Sequence, residues 1–148
     1  MTEIDDKIPV SPEILDGKTI LIVDDDPNIP KAIARLIKQE SRNCTVITTE
    51  SVKSAIRLIQ EGLSPDLIIS DMMMPEGTGK DLHDWLVENN SDLSRKIMFL
   101  SGGMSDGVLR NFFDVMMSAG RAHEKPFDSE RFRAQIKKLL SQEMAAPK

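Results

Sequence analysis

The order of signals along the chain predicts an α/β fold, a doubly wound parallel sheet of five strands with five helices. Short β-rich runs alternate with longer runs of helical period over most of the sequence. Two of the short runs, Ile20-Leu21-Ile22-Val23 and Leu67-Ile68-Ile69, are apolar at every position, as strands covered on both faces should be. Acidic residues follow closely behind both, Asp24-Asp25-Asp26 in one case and Asp71 in the other.

The predicted strands are Thr19–Val23, residues 45–48, residues 66–70, residues 96–101 and, as a weak and polar run, residues 121–124. The first helical face is Ile29, Ile33, Leu36 and Ile37. Pro27 and Pro30 are tolerable there only in the opening turn, whose amide hydrogens have no helical partner. Val52, Ala55, Ile56 and Ile59 form the second face, with Ser51 near its start and Gly62 at its exit. Leu82, Trp85 and Leu86 mark the third helix, and Val108, Phe112, Phe113, Met116 and Met117 the fourth. Phe132, Ile136, Leu139 and Leu140 mark the fifth, with Asp128 as its cap. Residues 1–17 mix charge with Pro9 and Pro12, end at Gly17, and read as a flexible leader. Residues 18–143 read as the folded domain and 144–148 as a frayed tail.

The 148 residues suffice for one domain with a real core. A net charge of -5 argues against a general nucleic-acid binder, which carries a basic face. A single cysteine, Cys44, excludes an intrachain disulfide and fits a reducing compartment as a small buried hydrophobe. No signal peptide and no run of membrane-spanning length is visible, so the expected location is cytoplasmic, with no membrane partner.

If the first and third strands are parallel neighbours, their acidic ends meet at one sheet edge, where open α/β sheets bind ligands. Two carboxylates about 4 Å apart repel by about 4 kcal/mol at an effective dielectric of about 20. Such a cluster calls for a proton or a cation, and a hard, oxygen-seeking ion such as Mg2+ matches the donors. Ser101 at the end of the fourth strand and Lys125 after the fifth belong to the same edge. Acids, a hydroxyl, an ammonium and a metal are the parts of phosphoryl transfer, with Asp71 the best nucleophile, able to carry an aspartyl phosphate. Asp26 is assigned to helix capping or solvent rather than to the ligands, and Met72-Met73-Met74 to packing and loop structure rather than a soft-metal site. His83 and His123 lack partners at ligand spacing and read as surface or ordinary hydrogen-bonding residues; Lys137-Lys138 reads as a solvated face.

Four pieces in order, Ile20-Leu21-Ile22-Val23-Asp24-Asp25-Asp26-Pro27, Pro65 to Pro75 with Gly79, Leu100-Ser101-Gly102-Gly103 and Lys125-Pro126-Phe127, make the chain resemble receiver domains of two-component response regulators over residues 18–140. The type implied is either a single-domain, chemotaxis-regulator-like receiver or the receiver of a hybrid kinase. The resemblance implies a flavodoxin-like fold with strand order 2-1-3-4-5. It further implies that Asp71 accepts a phosphoryl group from a histidine kinase or histidine phosphotransfer protein. Asp24, Asp25 and Asp71, with the backbone carbonyl of Met73, would hold Mg2+, Ser101 would sense the phosphoryl group, and Lys125 would bridge to it. A cis Lys125-Pro126 bond is expected on the same ground.

The implied protein is not an enzyme beyond self-phosphorylation from phosphodonors and autodephosphorylation. It would signal to an unknown downstream protein through the region of the fourth helix, without contacting nucleic acid directly. The alternatives are an aspartate-dependent phosphatase, whose usual second acid is missing from Asp71-Met72-Met73-Met74-Pro75, and a non-phosphorylated interaction module with a vestigial acidic pocket. Receivers often carry an aromatic ring three residues before the lysine, where this chain has Ala122. The switch is therefore expected to move residues 102–113 more than residues 121–124.

Overall fold

A computed structural model describes residues 12–103 and 107–141. Five strands, β1 (Thr19–Val23), β2 (Thr45–Thr49), β3 (Leu67–Asp71), β4 (Ile97–Ser101) and β5 (Ala122–Glu124), form one parallel sheet in the order β2-β1-β3-β4-β5. Helices α1 (Asn28–Glu40), α2 (Val52–Gln60), α3 (Gly79–Asn89), α4 (Gly107–Ser118) and α5 (Ser129–Ser141) alternate with them. The predicted class, order and helix number are those observed.

Burial follows from the apolar runs. Every residue of β3 and β4 is buried, whereas β2, an edge strand made of Thr45-Val46-Ile47-Thr48-Thr49, is partly exposed along its length. The sheet divides the core in two. On one side Ile20, Ile22, Leu67, Ile69, Met98 and Leu100 pack beneath α1 and α5; on the other Leu21, Val23, Ile68, Ile97 and Phe99 pack beneath α2, α3 and α4. Cys44 is buried as expected. None of the described helices is long and apolar enough to cross a membrane.

The helix starts were legible because capping is local. Asp26 accepts the Asn28 amide hydrogen at 2.9 Å, so this acid serves the entrance to α1, while Pro30 lies buried in the first turn. Ser51 caps α2 by accepting from the Ser54 amide at 3.0 Å, and Asp128 caps α5 by accepting from the Glu130 amide at 2.9 Å. Thr78 and Asp81 close a reciprocal capping box on α3, which the sequence pattern did not reveal.

Strand limits shift by one residue in four of the five strands. Asp66 stands just outside β3, where its carboxylate accepts the Thr19 amide at 2.8 Å, and β3 instead runs through Asp71. Lys96 closes a 3-10 turn, Leu93–Arg95, before β4. Arg121 lies before β5, its guanidinium donating to the carbonyls of Ile97 and Ser94 at 3.1 and 2.7 Å, and β2 gains Thr49.

The assigned leader needs correction at its end. Residues 1–11 lie outside the described residues, as does the tail 144–148, but Pro12–Leu15 form a 3-10 turn whose Leu15 is 1% exposed in the α1–α5 core. The Ile14-Leu15 pair is too short to show periodicity, and the α5 groove supplies its burial. Two lesser readings also change. His83 packs in a half-buried ring cluster, and Lys137 on α5 pairs with Glu40 on α1 at 2.6 Å rather than facing solvent alone.

Candidate functional site

Because β1 and β3 are hydrogen-bonded neighbours in parallel register, Val23 opposite Ser70, the residues just beyond them converge at one edge. One carboxylate oxygen from each of Asp24, Asp25 and Asp71 lies within 4.8 Å of the other two. Asp24 and Asp71 are buried, at 4% and 7% exposure, while Asp25 is exposed. Asp24 is held by the Asp26 amide, which donates to its Oδ1 at 2.9 Å; its buried Oδ2 has no hydrogen-bond partner among the described residues.

β4 and β5 deliver the counter-groups. Lys125, immediately after β5, places Nζ 3.0 Å from Asp71 Oδ1 and 3.6 Å from Asp24 Oδ2. The Lys125 amide donates to the Ser101 carbonyl at 2.7 Å, and the Lys125-Pro126 bond is cis, as expected. Ser101 closes β4 at 2% exposure, its Oγ accepting the Gly103 amide hydrogen at 3.1 Å. Met72, Met73 and Met74 divide their duties: the first and last are buried in the core, and Met73 is exposed on a two-residue hairpin strand, Met73–Met74, paired with Gly77–Thr78. Sequence reasoning missed that hairpin, whose strands are too short to show alternation.

Burial and mutual repulsion set the charges. Burial raises the Asp71 carboxyl to about 6; the Lys125 hydrogen bond opposes this shift, and Asp24 and Asp25 add to it. Asp24 is also raised, chiefly by burial, against the Asp26 amide and Lys125. Burial works against the Lys125 ammonium, but its hydrogen bond and charge contacts with Asp71 and Asp24 outweigh burial and raise it. The edge therefore holds more negative oxygen than one lysine neutralises. Asp24 Oδ2, buried and reached only by the Lys125 charge at 3.6 Å among the described residues, together with oxygens of Asp25 and Asp71 forms the hard donor set that suits a small divalent cation.

The site opens into a cleft lined in part by Asp24, Asp25, Lys31, Thr49 and Glu50. Lys31 and Glu50 were not singled out from sequence, since isolated charges on a helix and a loop carry no spacing signal. Gly79 was noted only as part of the family pattern. A Cβ at this position would lie 3.0 Å from the Asp71 carbonyl oxygen and 2.9 Å from the Phe99 ring, so only glycine lets α3 approach the acceptor strand so closely.

Comparison with known proteins agrees with this arrangement. The family model described as the response regulator receiver domain matches residues 20–137. Histidine kinase P4 of Formosa agariphila is 32% identical over 126 residues, which cover 85% of this chain and 9% of that protein. Response regulator Rre1 of Synechocystis is 27% identical over 132 residues, covering 86% of this chain and 54% of the relative. The chain thus spans about half the length of one of these relatives and a small fraction of the other.

Among solved structures, the beryllofluoride-activated NtrC4 receiver domain dimer superposes with a TM-score of 0.67 at 27% identity, over 82% of this chain and 95% of that one. The response regulator TrrA from Thermotoga maritima, in complex with Mg2+ and beryllofluoride, gives 0.64 at 26% identity, over 82% and 98%. Sequence, sheet order and the convergence of acids with a lysine at one strand edge agree, and the chain belongs to the response regulator receiver domain family.

Proposed function

We propose that this receiver takes a phosphoryl group onto Asp71 from a phosphohistidine of a kinase or phosphotransfer protein. The observation that carries the reading is the Asp71 carboxylate at a strand end, next to Asp24 and Asp25 and 3.0 Å from Lys125. An Asp71 carboxylate oxygen attacks phosphorus, forming the new P–O bond as the P–N bond to the donor imidazole breaks. The electron pair of that bond returns to the imidazole nitrogen, which is protonated as it leaves. A carboxyl held at about 6 is mostly ionised at neutral pH and is a better nucleophile than an ordinary aspartate, because burial has removed stabilising water.

Asp24, Asp25 and Asp71, with the Met73 carbonyl, would hold Mg2+, which when bound neutralises charge on the transferring group. The Lys125 ammonium pairs with a phosphoryl oxygen once Asp71 is phosphorylated, and the buried Ser101 hydroxyl donates to another. No turnover of other substrates belongs to this reading. Its chemistry is acceptance of the group, from a protein or a small phosphodonor, and autodephosphorylation; the output is a protein contact near α4.

Intact-mass measurement after incubation with Mg2+ and a small phosphodonor tests it. The wild type should gain one phosphoryl mass, labile to hydroxylamine, and Asp71→Asn none. Uptake by Asp71→Asn overturns the assignment, and sustained turnover of a chromogenic phosphate ester would favour a phosphatase instead.

A further inference from the structure

Ala122 sits opposite Phe99 in the β4–β5 register, so both side chains lie on the sheet face covered by α2, α3 and α4. Ser101, two residues after Phe99, projects from the same face. The Ala122 side chain ends at Cβ and offers β5 nothing that can move when Ser101 moves. The rings in contact with Phe99 come from other elements, Phe112 of α4 and, at the longer centroid distance of 6.1 Å, His83 of α3. Phe112 of α4 meets Phe99 edge to face with centroids 5.2 Å apart, and lies 5.3 Å from the imidazole of His83 on α3. Lys80, one turn before His83, stands over the Phe112 ring at 5.8 Å.

Of the helices that meet at Phe112, α3 is anchored to backbone leaving the acidic edge, and α4 packs on β4, whose last residue is Ser101. The Gly79 amide at the start of α3 donates to the Met72 carbonyl at 2.9 Å, and Gly79 is pressed against the Asp71 carbonyl. On the other side the Ser101 hydroxyl holds the Gly103 amide, and Gly103 has φ 137, a conformation that side chains other than glycine resist. A Ser101 hydroxyl drawn toward a phosphoryl group changes its hold on Gly103 and disturbs the end of β4, the strand on which α4 packs through Phe99 and Phe112. Between α4 and β5, the Arg121 amide just before β5 donates to the Met116 carbonyl at 2.8 Å, a fixed backbone hinge, and the side-chain link, Arg110 with Glu124 at 3.8 Å, is exposed at both ends and weak for that reason.

From this geometry we infer that Phe112 is the positioning residue that couples the acidic edge to the α3–α4 seam, through its ring contacts with Phe99 and His83. This rests on the phosphoacceptor reading. On phosphorylation the ring shifts between its two partners and moves α3 relative to α4, while β5 stays in place.

Amide hydrogen exchange with and without Mg2+ and beryllofluoride tests the inference on wild type, Phe112→Leu and Phe112→Met, alongside phosphoryl uptake by intact mass. In the wild type the mimic should change protection over 107–118 and 79–89. Both variants should keep phosphoryl uptake and lose the change over 79–89. If Phe112→Leu does not fold, Phe112→Met and His83→Leu make the same comparison. A variant that still transmits the change to 79–89, or a wild-type response confined to 121–124, overturns the coupling. A wild type that takes up phosphoryl but leaves 79–89 silent also defeats the coupling alone. A wild type that neither gains the phosphoryl group nor answers the mimic defeats the phosphoacceptor reading, and the coupling with it.

Discussion

A carboxylate only 7% exposed, with two acidic neighbours, is costly to ionise, and burial leads the causes that hold Asp71 at about 6. A raised carboxyl binds its proton more tightly in the folded chain than in the unfolded one. Between the ordinary aspartate value and about 6, folding therefore takes up a proton, and this group's contribution to stability grows as pH falls through that window. Above it, the ionised Asp71 is a liability unless a cation is bound. Asp71→Asn should accordingly be more stable than the metal-free wild type at neutral pH, by on the order of 1–3 kcal/mol. That gap should close on acidification below about pH 4, measured by denaturant unfolding in chelator. A gap that is constant with pH would show that Asp71 carries no unusual charge cost.

The same logic separates the two neighbouring acids. Asp25 contributes an oxygen to the cluster, whereas Asp26 turns away to the Asn28 amide. Asp25→Ala should weaken Mg2+ binding about tenfold or more, because removing a charged oxygen ligand from a hard-ion site is expensive. Asp26→Ala should leave Mg2+ binding near wild type and cost about 1 kcal/mol of stability through the lost cap. Mg2+ titration and thermal unfolding of the two variants check this; equal losses of metal affinity would mean the ligand pair is misassigned.

Among the elements, α3 is the one whose placement the site depends on most directly. Its first residue, Gly79, touches the acceptor strand, and its start is locked by the Thr78–Asp81 capping box. Gly79→Ala would push a methyl group to 2.9 Å from the Phe99 ring and 3.0 Å from the Asp71 carbonyl, closer than carbon atoms settle. Overpacking of this kind costs about 1–3 kcal/mol. Since part of the relief must come from the Asp71 backbone, phosphoryl uptake should also slow. Unfolding and the uptake rate together test this, and an unchanged rate in a destabilised variant would confine the role of Gly79 to packing.

At the scale of the molecule, two cores share one sheet, and the α1–α5 side is completed from an unexpected place. Leu15, in the turn before β1, fills a groove beside Phe132, Ile136, Leu139 and Leu140. Leu15→Ala should therefore destabilise the whole domain by about 2–4 kcal/mol, as a buried leucine does, rather than have the negligible effect of a change in a leader. Chemical denaturation of the variant measures it.

The five strands of the main sheet, their burial and the starts of α1, α2 and α5 were legible in the sequence because each depends on neighbours within a few residues, and the acids of the site stand at the ends of two of those strands. Unbroken apolar runs mark β1 and β3; Ser51 and Asp128 cap the helices that begin beside them; Asp24, Asp25 and Asp71 stand where such strands end. No local pattern carries the partner brought from far along the chain. Tertiary packing alone buries Leu15 under α5, sets Gly79 against Asp71, pairs Lys137 with Glu40, and groups Phe112 with Phe99 and His83 in one ring cluster where β5 offers only Ala122. Periodicity tells which face of an element is apolar, but not which neighbour that face meets, because the meeting is fixed by sheet order and helix packing across the whole domain.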